Sequence, residues 1–287
     1  MATNGKDIAR LIAVCRDRHG IIAALAGGLA DAGANIVSSN QHSTKAEDGR
    51  FFLRMELHLQ DLAAHRTELE RSLTQVAQRF DIDWQLLDAT RPKRVALFVS
   101  RYEHCLLDLL WRWRRDQLAM DLTAVVSNHE NLRGAVESYG VPFHHVPVDN
   151  HNKAKAEAAQ LELLQGQVDL VVLARYMQIL SPEFLTRVGA PVINIHHSFL
   201  PAFAGAQPYQ RAFDRGVKLI GATAHYATAE LDDGPIIEQD VMRVTHAHDP
   251  HKLEAIGADV ERMVLARAVE WHLADRVLID GNRTVIL

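Results

Sequence analysis

The sequence predicts a two-part α/β protein, a small β-α-β-β-α-β unit followed by a doubly wound, mainly parallel sheet. Three observations carry this expectation. The chain has 287 residues, longer than most single domains, so two domains are expected. Its opening part orders strand and helix patterns as one compact split motif, whereas the remainder alternates short apolar runs with helical stretches, as right-handed crossovers in a parallel sheet require. Between them Asp88-Ala89-Thr90-Arg91-Pro92-Lys93-Arg94 is polar, contains proline and interrupts both patterns. The expected boundaries are 1–88, a linker at 89–93, and 94–287.

Residues 8–15 alternate and then become continuously apolar, as a central strand would. After the turn Asp17-Arg18-His19-Gly20, the apolar positions Ile21, Ile22, Leu25 and Leu29 form a helical stripe that stops at Gly33, a residue suited to a left-handed C-cap. Residues 35–44 and 50–59 predict strands joined by the polar turn Ala46-Glu47-Asp48-Gly49. A helix over 63–80 and a strand over 83–87 close the ferredoxin-like motif.

In the second part, strands are expected at 95–99, 122–126, 143–148, 170–173, 190–195, 219–226 and through Ile236-Ile237. Helices are expected at 104–118, 153–164, near Pro182, at 207–213 and at 253–275. The loop after the first of these strands, Ser100 to Cys105, has no glycine to bring backbone amides against phosphate, which argues against NAD and ATP. Cys105 beside His104 could be an activated thiol, although free cysteines usually pack.

With 48% apolar and 23% charged residues and a formal net charge of -5, the chain has no basic footprint for nucleic acid or anionic membrane. No run reaches the roughly 18 apolar residues of a membrane span. Two cysteines are too few for a disulfide scaffold in so long a chain. A cytoplasmic protein is expected.

The chemistry-bearing residues cluster late. Asn194 and His196 leave one apolar strand on the same side, at the carboxyl end where open α/β sheets bind ligands. Asp232 follows the run 219–226 in a turn. An amide donor for an oxyanion, an imidazole for the departing amine and a carboxylate that favours imidazolium and accepts a proton make a set for acyl chemistry. Capping roles for Asn194 and Asp232, with His196 a satisfied core histidine, are the plainer reading of each residue alone. A metal held by His196, His197 and His225 is a further alternative, disfavoured because adjacent strand residues point to opposite faces.

Two resemblances extend these readings. Residues 7–88 resemble an ACT domain, through Asp17-Arg18-His19-Gly20-Ile21-Ile22 and Gly33-Ala34-Asn35-Ile36, with His19 where the usual pattern has proline. The resemblance implies a small amino-acid effector, glycine first and methionine second, at Gly20, Ile21 and Asn35, or else a module that only pairs subunits. A homo-oligomer, dimer or tetramer, is the expectation.

Residues 94–287 resemble the formyltransferase fold that uses 10-formyltetrahydrofolate. The carriers are Leu173-Ala174-Arg175-Tyr176-Met177-Gln178-Ile179-Leu180-Ser181-Pro182, Asn194 to Pro201, and Leu231-Asp232-Asp233-Gly234-Pro235-Ile236-Ile237. This resemblance implies catalytic roles for Asn194, His196 and Asp232, and a folate site drawn from Arg175, Met177, Gln178, Ile179, Leu180, Phe184, His197, Ser198 and Gly234. With the ACT-like part in front, the chain resembles the formyltetrahydrofolate deformylase family, which hydrolyses that substrate to formate and tetrahydrofolate; no cofactor is expected, and no metal, because the sequence offers no convergent His/Cys/carboxylate set beyond His196 and Asp232. His197, where the related transformylases have proline, and the glycine-free first loop favour water as acceptor. Formyl transfer to an amine such as glycinamide ribonucleotide, and a non-catalytic folate or amino-acid sensor, are the alternatives.

Overall fold

The computed structural model describes residues 7–45, 47–149, 151–201 and 208–287. Contacts divide them into two units, with the first break between Pro92 and Lys93.

The first unit contains β1 (Ile8–Arg16), α1 (Ile21–Asp31), β2 (Asn35–Ser43), β3 (Arg50–His58), α2 (Leu62–Phe80) and β4 (Asp83–Asp88). The sheet order is β2-β3-β1-β4, antiparallel throughout. β1 is central, and alternation turns Ala9, Leu11, Ala13 and Cys15 toward α1 and α2, where they share one core with Leu25, Leu29, Leu69 and Leu73. Gly33 takes φ +76° and the Ala34 amide donates to the Leu29 carbonyl at 2.9 Å, the left-handed stop foreseen for α1. In the β2–β3 turn, Ala46 lies outside the described residues.

The other face of this sheet is covered by residues that the sequence reading assigned to the second part. Ala274–Asp280 and Val285–Leu287 group with the first unit. The reason is packing: Phe52, Leu278 and Leu287 form a small core with Ile12, Val14 and Val285. Arg10 pairs with Asp275 at 3.0 Å, buried Arg54 donates to the Ala274 carbonyl at 3.0 Å, and Arg50 pairs with Asp280.

The second unit runs β5 (Lys93–Val99), α3 (His104–Arg114), β6 (Met120–Ser127), α4 (Arg133–Glu137), β7 (Phe143–His145), α5 (Lys153–Leu164), β8 (Leu170–Leu173), α6 (Pro182–Arg187), β9 (Val192–His196), α7 (Pro208–Arg215), β10 (Leu219–Tyr226), β11 (Ile236–Arg243) and α8 (Pro250–Leu273). Short strands β12 (Val277–Asp280) and β13 (Arg283–Ile286) follow. Neither they nor α4 is foreseen from periodicity. α3 stops four residues short of the expected end, and residue 207 of the expected 207–213 helix lies outside the described set. The seven-stranded sheet has the order β11-β10-β9-β8-β5-β6-β7. Strands β7, β6, β5, β8 and β9 are parallel, and β10 and β11 add an antiparallel edge. After β5 the chain fills one side with β6 and β7 and then crosses to β8 on the other, so the carboxyl ends of β5, β8 and β9 flank a topological switch point. Among the described residues no helix is long and apolar enough to cross a membrane.

Candidate active site

β9 sets the site. Asn194 and His196 share a face by strand alternation, and the antiparallel register places His225 of β10 opposite Asn194. His225 Nδ1 lies 3.0 Å from the Tyr226 carbonyl, so in its neutral form it donates there and leaves Nε2 as acceptor. Asn194 Nδ2 sits 3.2 Å from that Nε2 and donates to it. One amide hydrogen is thereby fixed and the other is left to face the cavity. Burial holds the His225 imidazole below its ordinary range, which keeps this tautomer arrangement intact near neutrality.

Asp232 occupies the turn after β10 with φ +56°. Its Oδ1 lies 3.3 Å from His196 Nδ1 and 3.8 Å from His225 Nε2. The hydrogen bond from His196 holds the carboxyl below the usual carboxylate range, against the opposing effect of burial. Gly234 makes the turn: a Cβ there would overlap the Tyr226 carbonyl oxygen, and the Tyr226 amide donates to the Pro235 carbonyl at 3.0 Å. His196 Nε2 is buried and has no hydrogen-bond partner among the described residues.

These groups line a cavity of about 380 Å³ whose far wall is the turn after β8, Arg175 to Leu180. That turn is clamped at both ends. Ser100, in the glycine-free loop after β5, donates from its amide to the Arg175 carbonyl at 3.3 Å and accepts on Oγ from the Met177 amide at 3.0 Å. At the other end, Ser181 caps α6 through the Phe184 amide and donates its hydroxyl to Glu157 at 2.5 Å. Arg175 has φ +63°, and the other described non-glycine residues with positive φ are all Asp, so the clamps hold a backbone that costs of order 1–3 kcal/mol. Met177 and Ile179 are 50% and 60% exposed and form an apolar lip.

Of the expected site residues, Asn194, His196, Asp232, Arg175, Met177, Gln178, Ile179, Leu180 and His197 line the cavity. Three others do not. Phe184 points into the core edge-on to Phe98, Ser198 is buried with its carbonyl accepting from Thr223 Oγ1 at 2.8 Å, and Gly234 serves the turn rather than the cavity wall. In the first unit, the Ile21 side chain is buried in the core, so only its backbone amide can meet a ligand there. His225 joins the wall. It enters the sequence reading only as a metal ligand, yet a lone imidazole within the apolar run of β10 was a usable signal. Its ring nitrogens already face Tyr226 and Asn194, which fits an orienting role better than a metal.

A model of the formyl transferase family matches residues 93–269, and an ACT domain model matches residues 9–73. The fold and site thus define a formyl transferase domain preceded by an ACT domain. The chain is 57% identical over 281 residues to the formyltetrahydrofolate deformylase of Mycobacterium tuberculosis, covering 98% of this chain and 91% of that one. The crystal structure of a formyltetrahydrofolate deformylase from Pseudomonas syringae matches with a TM-score of 0.91 at 48% identity, over 98% of this chain and 94% of that one. Glycinamide ribonucleotide transformylase 1 from Symbiobacterium toebii matches with a TM-score of 0.63 at 30% identity, over 68% of this chain and 94% of that one. The chain belongs to the formyltetrahydrofolate deformylase family.

Proposed function

We propose that the chain hydrolyses 10-formyltetrahydrofolate to formate and tetrahydrofolate, using Asn194, His196 and Asp232 on bound substrate. Water attacks the formyl carbon. Asn194 gives its second amide hydrogen to the developing oxyanion, a contribution of about 3 kcal/mol for a donor of this kind. The His196 imidazolium donates Nδ1–H to Asp232 and presents Nε2–H to the departing folate nitrogen. Asp232, ionised at neutral pH, orients the water and takes its proton as the C–O bond forms and the C–N bond breaks. The bond changes balance with one water consumed and no redox partner or covalent intermediate.

The observation that carries this reading is the convergence of the three groups on one cavity, with His196 Nε2 buried and without a partner among the described residues. Met177, Ile179 and Leu180 offer an apolar slot for a flat pterin, with backbone groups of the clamped turn beside it. No cofactor or metal takes part in the steps proposed. The test is incubation with 10-formyltetrahydrofolate, with and without an amine acceptor. Formate equal to the tetrahydrofolate formed, insensitive to a chelator, is the expected result. Absence of formate, or loss on chelation restored by zinc, overturns it.

The ACT unit supplies the regulatory half of the proposal. The N-terminus of α1, reached through Gly20 at φ +90°, suits an amino-acid carboxylate, with Asn35 opening β2 nearby in sequence. β2 is an edge strand, which supports pairing with a second copy of the chain.

A further inference from the structure

A second polar cluster of the same unit lies behind His197, and the hydrolytic steps do not use it. Glu261 of α8 is 1% exposed and accepts on both oxygens, from Tyr209 Oη at 2.6 Å and from His104 Nε2 at 2.7 Å. Arg175 brings Nε to 3.4 Å from the same carboxylate and lays its guanidinium 4.6 Å from the Tyr102 ring centroid. The Tyr209 ring stands 6.2 Å from that of His197, which stands 5.2 Å from that of His196. Gly257 makes room for this arrangement, because a Cβ there would overlap the Tyr209 hydroxyl.

The ligand atoms of His104, Cys105 and Glu261 also lie within 4.8 Å of one another. A metal suits this cluster poorly. Both Glu261 oxygens are already in use, the Arg175 cation stands beside them, and burial pushes the Cys105 thiol well up, whereas a metal needs the thiolate.

Burying a carboxylate and a guanidinium costs several kcal/mol that pairing offsets only in part, so stability is a weak reason to keep them. The chemistry of the site supplies another. Water and an amine attack the same formyl carbon and each give up one proton to Asp232, so the reacting groups do not discriminate between them. Selection must come from access. The geometry points to Tyr209, Glu261 and Arg175 as the groups that restrict the acceptor to water. Tyr209 fills the space behind His197 where the body of an amine acceptor would stand. Glu261 holds that ring in place and balances the charge of the Arg175 guanidinium, whose Nε and Nη1 are buried without hydrogen-bond partners among the described residues and would otherwise draw an acceptor's anionic group.

This inference rests on the hydrolytic reading above, and its test separates the two. Full-length protein is given 10-formyltetrahydrofolate with hydroxylamine, glycinamide or O-phosphoethanolamine, and formate and formylated amine are quantified against an enzyme-free control. Wild type should yield formate with the two larger amines, while hydroxylamine, close to water in size, diverts part of the formyl group. Tyr209→Ala should raise the share of formylated glycinamide about 10- to 100-fold, and Glu261→Gln should do so most for O-phosphoethanolamine. Tyr209→Phe keeps the ring and should keep the wild-type partition. An unchanged partition in folded Tyr209→Ala, or equal diversion by all three amines in wild type, overturns the inference; the wild-type comparison decides if the variants do not fold. Absence of formate from wild type without amine overturns the hydrolytic reading instead.

Discussion

The two polar clusters joined through the His197 ring are finished in different ways. In the Asn194, His196 and Asp232 group, one amide hydrogen and one imidazole nitrogen have no partner among the described residues, on the edge of a cavity. In the Glu261 group each carboxylate oxygen has its donor and the acid is sealed from solvent, while Arg175 Nε and Nη1 beside it have no hydrogen-bond partner among the described residues. Groups arranged to act on a substrate keep unsatisfied capacity toward a cavity, whereas Glu261 spends its own on the neighbours that fix its position.

The largest expected effect breaks the first cluster. Asp232→Asn keeps the shape and removes the proton acceptor, so turnover should fall about 100- to 10,000-fold with little change in folate affinity. Single-turnover kinetics with equilibrium folate binding checks it, and a matched loss of both would assign Asp232 to binding. Breaking the second cluster should appear first in stability. Glu261→Gln leaves Arg175 as an uncompensated buried cation, and urea unfolding should report a loss of about 3–5 kcal/mol.

The bridge between the clusters titrates. Burial, and then the Arg175 charge, push His197 down to about 4 from an ordinary 6.5. Between those values the unfolded chain binds a proton that the native state refuses. His197 therefore withdraws stability as pH falls through that window, by on the order of 3 kcal/mol, and withdraws none above it. Unfolding free energies of wild type and His197→Gln should converge near pH 4 relative to their difference at pH 7. The smallest effect lies at the cavity lip. Ile179→Asp should raise folate Kd roughly tenfold through lost apolar contact while the unfolding free energy moves by less than about 0.5 kcal/mol. A collapse of stability would place Ile179 in the core.

Periodicity made most of the fold legible. The stripe of α1, the continuous runs of β5, β8 and β10, and the glycine after α1 each follow from local rules, and their elements stand within a few residues of expectation. α4 (Arg133–Glu137), β12 (Val277–Asp280) and β13 (Arg283–Ile286) are short and carry neither a helical stripe nor the unbroken apolar run that marks β8. Site residues divided along the same line. Asn194 and His196 were readable from strand alternation, but the choice between cavity and core for Phe184 and Ser198 depends on which way the chain turns after β8 and β9. His225 acquires its role from a cross-strand register, and Glu261 looks like one more charge on an amphipathic helix until tertiary packing brings His104, Tyr209 and Arg175 onto it.

The return of Ala274–Asp280 and Val285–Leu287 to the first sheet has a consequence for biosynthesis. A nascent chain emerges amino end first, and translation from Lys93 to Leu273 takes on the order of ten seconds or more at ordinary elongation speeds. During that interval Ile12, Val14 and Phe52 line a bare apolar face, because the residues that cover it have not yet been made. The first unit leaves the ribosome before the second and is sealed after it.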